Sequence, residues 1–191
     1  TVLAMKKSQY AFTLIEMMVT LSILIVLTTL AAPSFQSFQR SNLLSSYTNT
    51  LVAGLHTARN EAIKRNEHTY LAPLEGNWIN GWRVYVDKDF DGSYTSGNDI
   101  TLLEQAALPN QLIISKNGTG NFISFDGSGF PQKTSPLNAT LTIQHSGFMS
   151  NSDSAAQNSR LIKIAKTGRI RSCKPTSAND SKCLVSQTDP D

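Results

Sequence analysis

Charge is scarce in this chain: 16% of its 191 residues are Asp, Glu, Lys or Arg, against 40% hydrophobic. That balance suits one globular domain with a real core, plus an appendage. Histidine is scarcer still, and His56, His68 and His145 stand far from any acid or cysteine at catalytic or metal-ligating spacing. The sequence also lacks a nucleophile elbow, a glycine-rich phosphate loop and a paired zinc motif, so nothing in it points to an enzyme. Its two cysteines, Cys173 and Cys183, have no third cysteine or nearby histidine to complete four zinc ligands. So close a pair, in a chain with a membrane-like segment, points to a disulfide made outside the cytoplasm. Internal repeats are absent.

The widest gap in charge runs from Phe12 to Ala32, FTLIEMMVTLSILIVLTTLAA, where Glu16 is the one charged residue. As a helix this stretch spans about 30 Å, the thickness of a bilayer core. It is too long for the apolar region of a secretory signal, and no A-x-A site closes it. Lys6 and Lys7 precede it and would hold that end on the cytoplasmic side. Beyond Pro33, which can kink a helix without ending it, apolar residues return at helical spacing. Phe35, Phe38, Leu44, Tyr47, Leu51, Leu55, Ala58 and Ala62 recur three or four apart. Glu61 and Arg65 form a favourable i,i+4 pair near the close. From residue 69 the period changes to two. TYLAPL, GWRVYVD, ITLLEQ, QLIISKN, FISF, ATLTIQ and RLIKIAK read as strands, with DFDG, KNGTG, DGSG and KTGR as turns and SNSDSAAQNS as a polar loop.

An acid in hydrocarbon costs about 2.5–3.5 kcal/mol even on lenient insertion scales, so Glu16 needs a reason. Either it stays protonated or near the interface, or it has a partner from outside the span. A cut between Ala11 and Phe12 would free an α-amine, and a neighbouring copy shifted along the axis could bring its amine to Glu16. The basic leader, FTLIE, the long apolar helix and Pro33 at position 22 from Phe12 resemble the class III leader of type IV pilins and pseudopilins. The resemblance implies that a prepilin peptidase removes residues 1–11 and methylates Phe12. It also implies that Glu16, fifth in the mature chain, pairs with a neighbour's amine during filament assembly. The family usually has glycine before the cut; Ala11 here implies slower or conditional processing.

The charge is unevenly spread. Residues 1–111 carry eight basic against nine acidic groups, a net of −1, and residues 112–191 carry nine against five, a net of +4. The densest run is RLIKIAKTGRIRSCK, residues 160–174, with Arg160, Lys163, Lys166, Arg169, Arg171, Lys174 and no acid. Strand alternation puts Arg169 and Arg171 on one face and Ile170 on the other, with Gly168 permitting the turn before them. Arginines fixed on a face suit phosphate, which they grip bidentately. No aromatic residue is interleaved in the run, so binding there should be led by phosphate, non-specific and steeply salt-dependent. The same run also reads as a solvated face or a contact with other pilins. A second segment, DKDFDGSYTSGN, puts Asp87, Asp89, Asp91 and Gly92 at EF-hand-like calcium positions, but its twelfth place is Asn98, with Asp99 one step late. A hairpin loop using Asp and Gly for turn geometry is the alternative.

ARNEAIKRN (58–66), GWRVYVDKDFDG (81–92) and KTGRIR (166–171) are similar to the FimT/FimU/GspH group of minor pilins and minor pseudopilins. That resemblance implies an α+β, pilin-like fold with one long N-terminal helix packed on a β-rich head. The expected organisation is a leader at 1–11, a transmembrane and assembly half-helix at 12–33 and an amphipathic half at 34–66. A β-rich head at 67–191 would follow, ending in a basic tail tied by Cys173 and Cys183. Gly168-Arg169-Ile170-Arg171 matches the G-R-x-R motif of FimT-like minor pilins. The match implies DNA binding in natural transformation, through Arg169 and Arg171 assisted by Lys166 and Lys174. The implied partners are major and minor pilins, the prepilin peptidase, the inner membrane before assembly, and DNA. The implied location is a single-pass inner-membrane protein with its head in the periplasm, then an extracellular pilus. The resemblance implies no cofactor; calcium at the acidic loop is an expectation from spacing alone. The alternative is a minor pseudopilin of a type II secretion system with a purely structural role.

Overall fold

The computed structural model describes residues 12–118, 120–132, 139–148, 152–180 and 183. Helix α1 covers Leu14–Arg65, with Pro33 inside it. The chain divides into two compact units, one ending at Gln39 and the other beginning at Arg40. In the first unit the large apolar side chains from Phe12 to Leu30 are exposed. Its hydroxyls turn inward to the helix backbone: Thr20 donates to the Met17 carbonyl at 3.0 Å, Ser22 to Met18 at 2.8 Å and Thr28 to Ile25 at 2.8 Å. Such back-bonding satisfies polar groups without water, which suits an apolar surrounding. Among the described residues no single helix is long and apolar enough to cross a membrane. The segments Leu14–Leu30 and Pro33–Arg65 pass that test together, by length and composition.

The head, from Arg40 onward, places two four-stranded antiparallel sheets around the rest of the helix. The first has the order β3 (Ile100–Gln105), β2 (Trp82–Val86), β1 (Thr69–Pro73), β5 (Ile123–Phe125). The second has the order β4 (Leu112–Lys116), β6 (Ala139–His145), β7 (Ser159–Ile164), β8 (Ile170–Cys173). One core joins them. Leu44, Leu51, Leu55, Ala58 and Ala62 of α1 meet Leu71, Trp82 and Phe125 of the first sheet and Leu141, Ile162 and Ile164 of the second. Each fully buried leucine or isoleucine contributes about 1.5–3 kcal/mol relative to exposure.

Two expectations need correction. The helical stripe reaches the core only from Leu44 onward, and Phe35 and Phe38 stay exposed because they precede the head. The segment read as a polar loop contains a short helix, α2 (Asp153–Gln157). Ser152 caps it by accepting from Ala155 N, and Ala155 is buried, so capping chemistry and one apolar contact outweighed the polar composition.

Candidate nucleic-acid interface

The basic run folds as β7, a tight turn and β8. Gly168 N donates to the Ala165 carbonyl at 2.9 Å, and Ala165 N to the Arg169 carbonyl at 2.9 Å. Gly168 has φ +78°, in the left-handed region that favours glycine. Pairing of Ile164 with Ile170 and Lys163 with Arg171 sets the register. Ile170 packs against the core, which leaves Arg171 on the opposite face. Lys166, Arg169, Arg171 and Lys174 are all exposed. A disulfide joins Cys173 and Cys183, with Cα atoms 6.0 Å apart, and Cys183 is buried.

The run is not one cationic face. Arg160 is only 8% exposed and Lys163 only 3%. Arg160 donates to Ser41 Oγ on the helix at 3.0 Å and to the Ser159 carbonyl at 2.8 Å, so it fastens β7 to α1. Every position of β7 is buried, and alternation on a strand covered on both faces gives no solvent side.

Residues outside the run hold the turn in place. Arg59, on α1, donates through Nε to the Gly129 carbonyl at 3.0 Å and through Nη2 to the Thr167 carbonyl at 3.4 Å. The helix, the β5–β6 connection and the β7–β8 turn thereby meet at one guanidinium. Space is tight there: a β-carbon at residue 168 would lie 2.3 Å from the Gly129 carbonyl oxygen and 2.9 Å from Arg59 Nε. Glu61, two residues along the helix, is occupied by Arg65 at 2.7 Å and Lys64 at 3.1 Å. Those hydrogen bonds, Arg65 first, hold its carboxyl below the usual range.

The acidic loop rearranges the expected calcium set. Asp87, Asp89 and Asp99, rather than Asp91, each bring an oxygen within 4.8 Å of the others. Asp91 instead accepts from Ser93 N at 2.7 Å. The carboxylates serve the loop backbone. Asp87 accepts from Phe90 N at 2.8 Å and Gly92 N at 3.0 Å, and Asp99 from Lys88 N at 2.9 Å and Thr95 N at 2.7 Å. Burial raises the Asp87 carboxyl, against the pull of the Gly92 and Phe90 amides. Six to eight oxygens around calcium would have to come partly from groups already committed to amides, a poor fit. Beyond this loop, Tyr85, Tyr94 and Phe122 border a shallow cavity of about 350 Å³, with Arg83 stacked 3.8 Å over the Tyr94 ring.

At the other end, Phe12 is exposed and Thr13 Oγ1 accepts from Glu16 N at 3.3 Å. Glu16 sits in the first turn of α1, where the helix dipole favours a carboxylate, and among the described residues no ion pair involves it. Ala11 and the leader lie outside the described residues.

Residues 6–32 match the prokaryotic N-terminal methylation motif. Residues 47–168, more than half of the chain, match the family described as type II transport protein GspH. The chain belongs to the GspH family. It is thus one of the minor pilins and pseudopilins, structural subunits that assemble with other pilins. The GspH match ends at Gly168, so Arg169 and Arg171 stand just beyond it. Among solved structures, the type IV minor pilin FimU of Pseudomonas aeruginosa is similar at 21% identity and TM-score 0.53, over 71% of this chain and 99% of that one. A second crystal form of FimU gives 20% identity and TM-score 0.52, over 73% and 98%. The minor pseudopilin EpsH of Vibrio cholerae matches at 12% identity and TM-score 0.49, over 69% and 96%, too distant to carry an argument. The FimU likeness shows the α+β pilin-like fold. No curated protein matches the chain in sequence.

Proposed function

We propose that this GspH-family subunit is a minor type IV pilin that initiates or joins a pilus and binds DNA without sequence preference. In this reading the prepilin peptidase cuts between Ala11 and Phe12 and methylates Phe12. Residues 12–33 hold the subunit in the inner membrane, and Glu16 pairs with a neighbour's α-amine as the filament forms. DNA phosphates are gripped by Arg169 and Arg171, with Lys166 and Lys174 beside them and Gly168 shaping the turn. The observation that carries the DNA reading is the exposed end of β8, held on three sides: by Arg59, by the core under Ile170 and by the Cys173–Cys183 bond. Fixed arginines lose little entropy on gripping phosphate. The alternative is a minor pseudopilin of type II secretion whose arginines face other subunits, supported by the GspH family description.

Duplex DNA binding by the full chain in non-ionic detergent, measured across salt concentrations beside Arg169→Ala/Arg171→Ala, separates the two. The DNA reading expects the wild type to weaken with salt at a slope of about −0.9 per phosphate contact, and the variant to lose affinity and about two contacts' worth of slope. Equal behaviour of the two proteins, or no binding at low salt, leaves the pseudopilin reading.

A further inference from the structure

The basic run contains no aromatic residue, yet the fold brings one to it. The β5–β6 connection begins with a turn built on Asp126, whose Oδ1 accepts from Ser128 N at 2.9 Å and Phe130 N at 3.0 Å. Asp126 N donates to the Phe130 carbonyl at 3.0 Å and Gly129 N to the Asp126 carbonyl at 2.8 Å, which closes the turn. Arg59 clamps this turn to Thr167 through Gly129. A β-carbon at residue 168 would meet the Gly129 oxygen at 2.3 Å, so the Gly168 Cα lies within about 4 Å of that oxygen. Phe130 follows Gly129 directly, and Arg169 follows Gly168. One backbone contact therefore joins the chain just before Phe130 to the chain just before Arg169. The Phe130 ring is not a core residue: it is 48% exposed and open to a ligand.

We propose that Phe130 is a base-stacking residue of the basic turn, and that the site takes single-stranded DNA in preference to duplex. The proposal rests on the DNA reading of Arg169 and Arg171 and names the form of DNA. A cationic group beside a part-exposed ring is the pairing that holds single strands: phosphate goes to the arginine, and an unpaired base lies on the ring. Bases in a duplex are stacked on each other and cannot reach it. Arg59 acts as a positioning residue, keeping ring and arginine on adjoining turns.

The test uses the full chain in non-ionic detergent with labelled single-stranded and duplex oligonucleotides of equal length at matched low salt. Wild type, Phe130→Ala, Phe130→Tyr and Arg169→Ala/Arg171→Ala are compared. The expected result is tighter binding of single strands, a loss of about fivefold or more for Phe130→Ala on single strands with little change on duplex, and recovery in Phe130→Tyr. The arginine variant should weaken both forms. If it does so while Phe130→Ala matches wild type on single strands, stacking is wrong and the DNA reading stands. If neither variant changes binding of either form, both readings fall. If Phe130→Ala binds DNA normally but no longer assembles with other pilins, the ring is a subunit contact and the proposal is overturned.

Discussion

Replacing Gly168 by alanine tests how tightly the basic turn is docked. Two separate costs arise. The residue sits at φ +78°, where an L side chain is strained by roughly 1–2 kcal/mol. Its β-carbon would also press on the Gly129 carbonyl oxygen at 2.3 Å and on Arg59 Nε at 2.9 Å, so the turn must move away and the Arg59–Gly129 bond at 3.0 Å must break. A hydrogen bond from a charged donor is worth about 1.5–3 kcal/mol. The sum is about 2.5–5 kcal/mol. Gly76 supplies the control, because it has φ +73° but open space around its missing β-carbon. Gly76→Ala should therefore cost only the strain. At about 2–4 °C per kcal/mol for a domain of this size, Gly168→Ala should melt roughly 5–20 °C below wild type and Gly76→Ala roughly 2–8 °C below. Thermal denaturation followed by circular dichroism reads both. Equal shifts in the two variants would refute the close approach, and with it the clamped turn on which the candidate site depends.

Tyr85 and Tyr70 stack at 5.3 Å, and burial first raises both phenols above the ordinary 10.0, followed at Tyr70 by the charge of Asp87 and at Tyr85 by the Tyr70 phenol and then Asp87. Protonated in both states below pH 10, they ionise in the unfolded chain before the folded one, so stability should fall as pH rises beyond that point. A melting series from pH 8 to 11 checks it, and a flat profile would contradict it. Cys173→Ser/Cys183→Ser should lose about 2–3 kcal/mol for a bridge spanning ten residues of sequence, read by urea unfolding. Unchanged stability would mean that the tail is held without the bond. Calcium titrated into the chain should give no binding heat, because Asp87 and Asp99 already accept backbone amides. Heat abolished by Asp89→Asn would reverse that.

Periodicity made the architecture legible where one rule acts alone. The three-four spacing from Leu44 to Ala62 marks the face of α1 that is buried, and the alternating strands fall where period two begins. Composition misled where tertiary contacts decide. Lys163 and Arg160 read as a surface by charge, yet every position of β7 is buried and Arg160 is bonded to Ser41 on the helix. The Ser152 cap and the apolar pair Ala155–Ala156 were the available signals for α2, outweighed in the reading by polar neighbours. At the basic turn, Gly168 and the arginines were visible as a motif. Arg59 and Phe130 were not, because their roles arise from residues 70 and about 40 positions apart meeting through a backbone carbonyl. Asp99 stands one place past the twelfth calcium position in the sequence, and the closed loop brings it to Asp87 and Asp89 in place of Asp91.

The most direct test of the account is made in the cells that produce the protein, with Arg169→Ala/Arg171→Ala in place of the native gene. Surface filaments and uptake of labelled DNA are counted in the same culture. The expected result is normal filaments with DNA uptake reduced at least tenfold. Normal uptake, or loss of filaments together with uptake, would contradict it and assign those arginines to contacts between subunits.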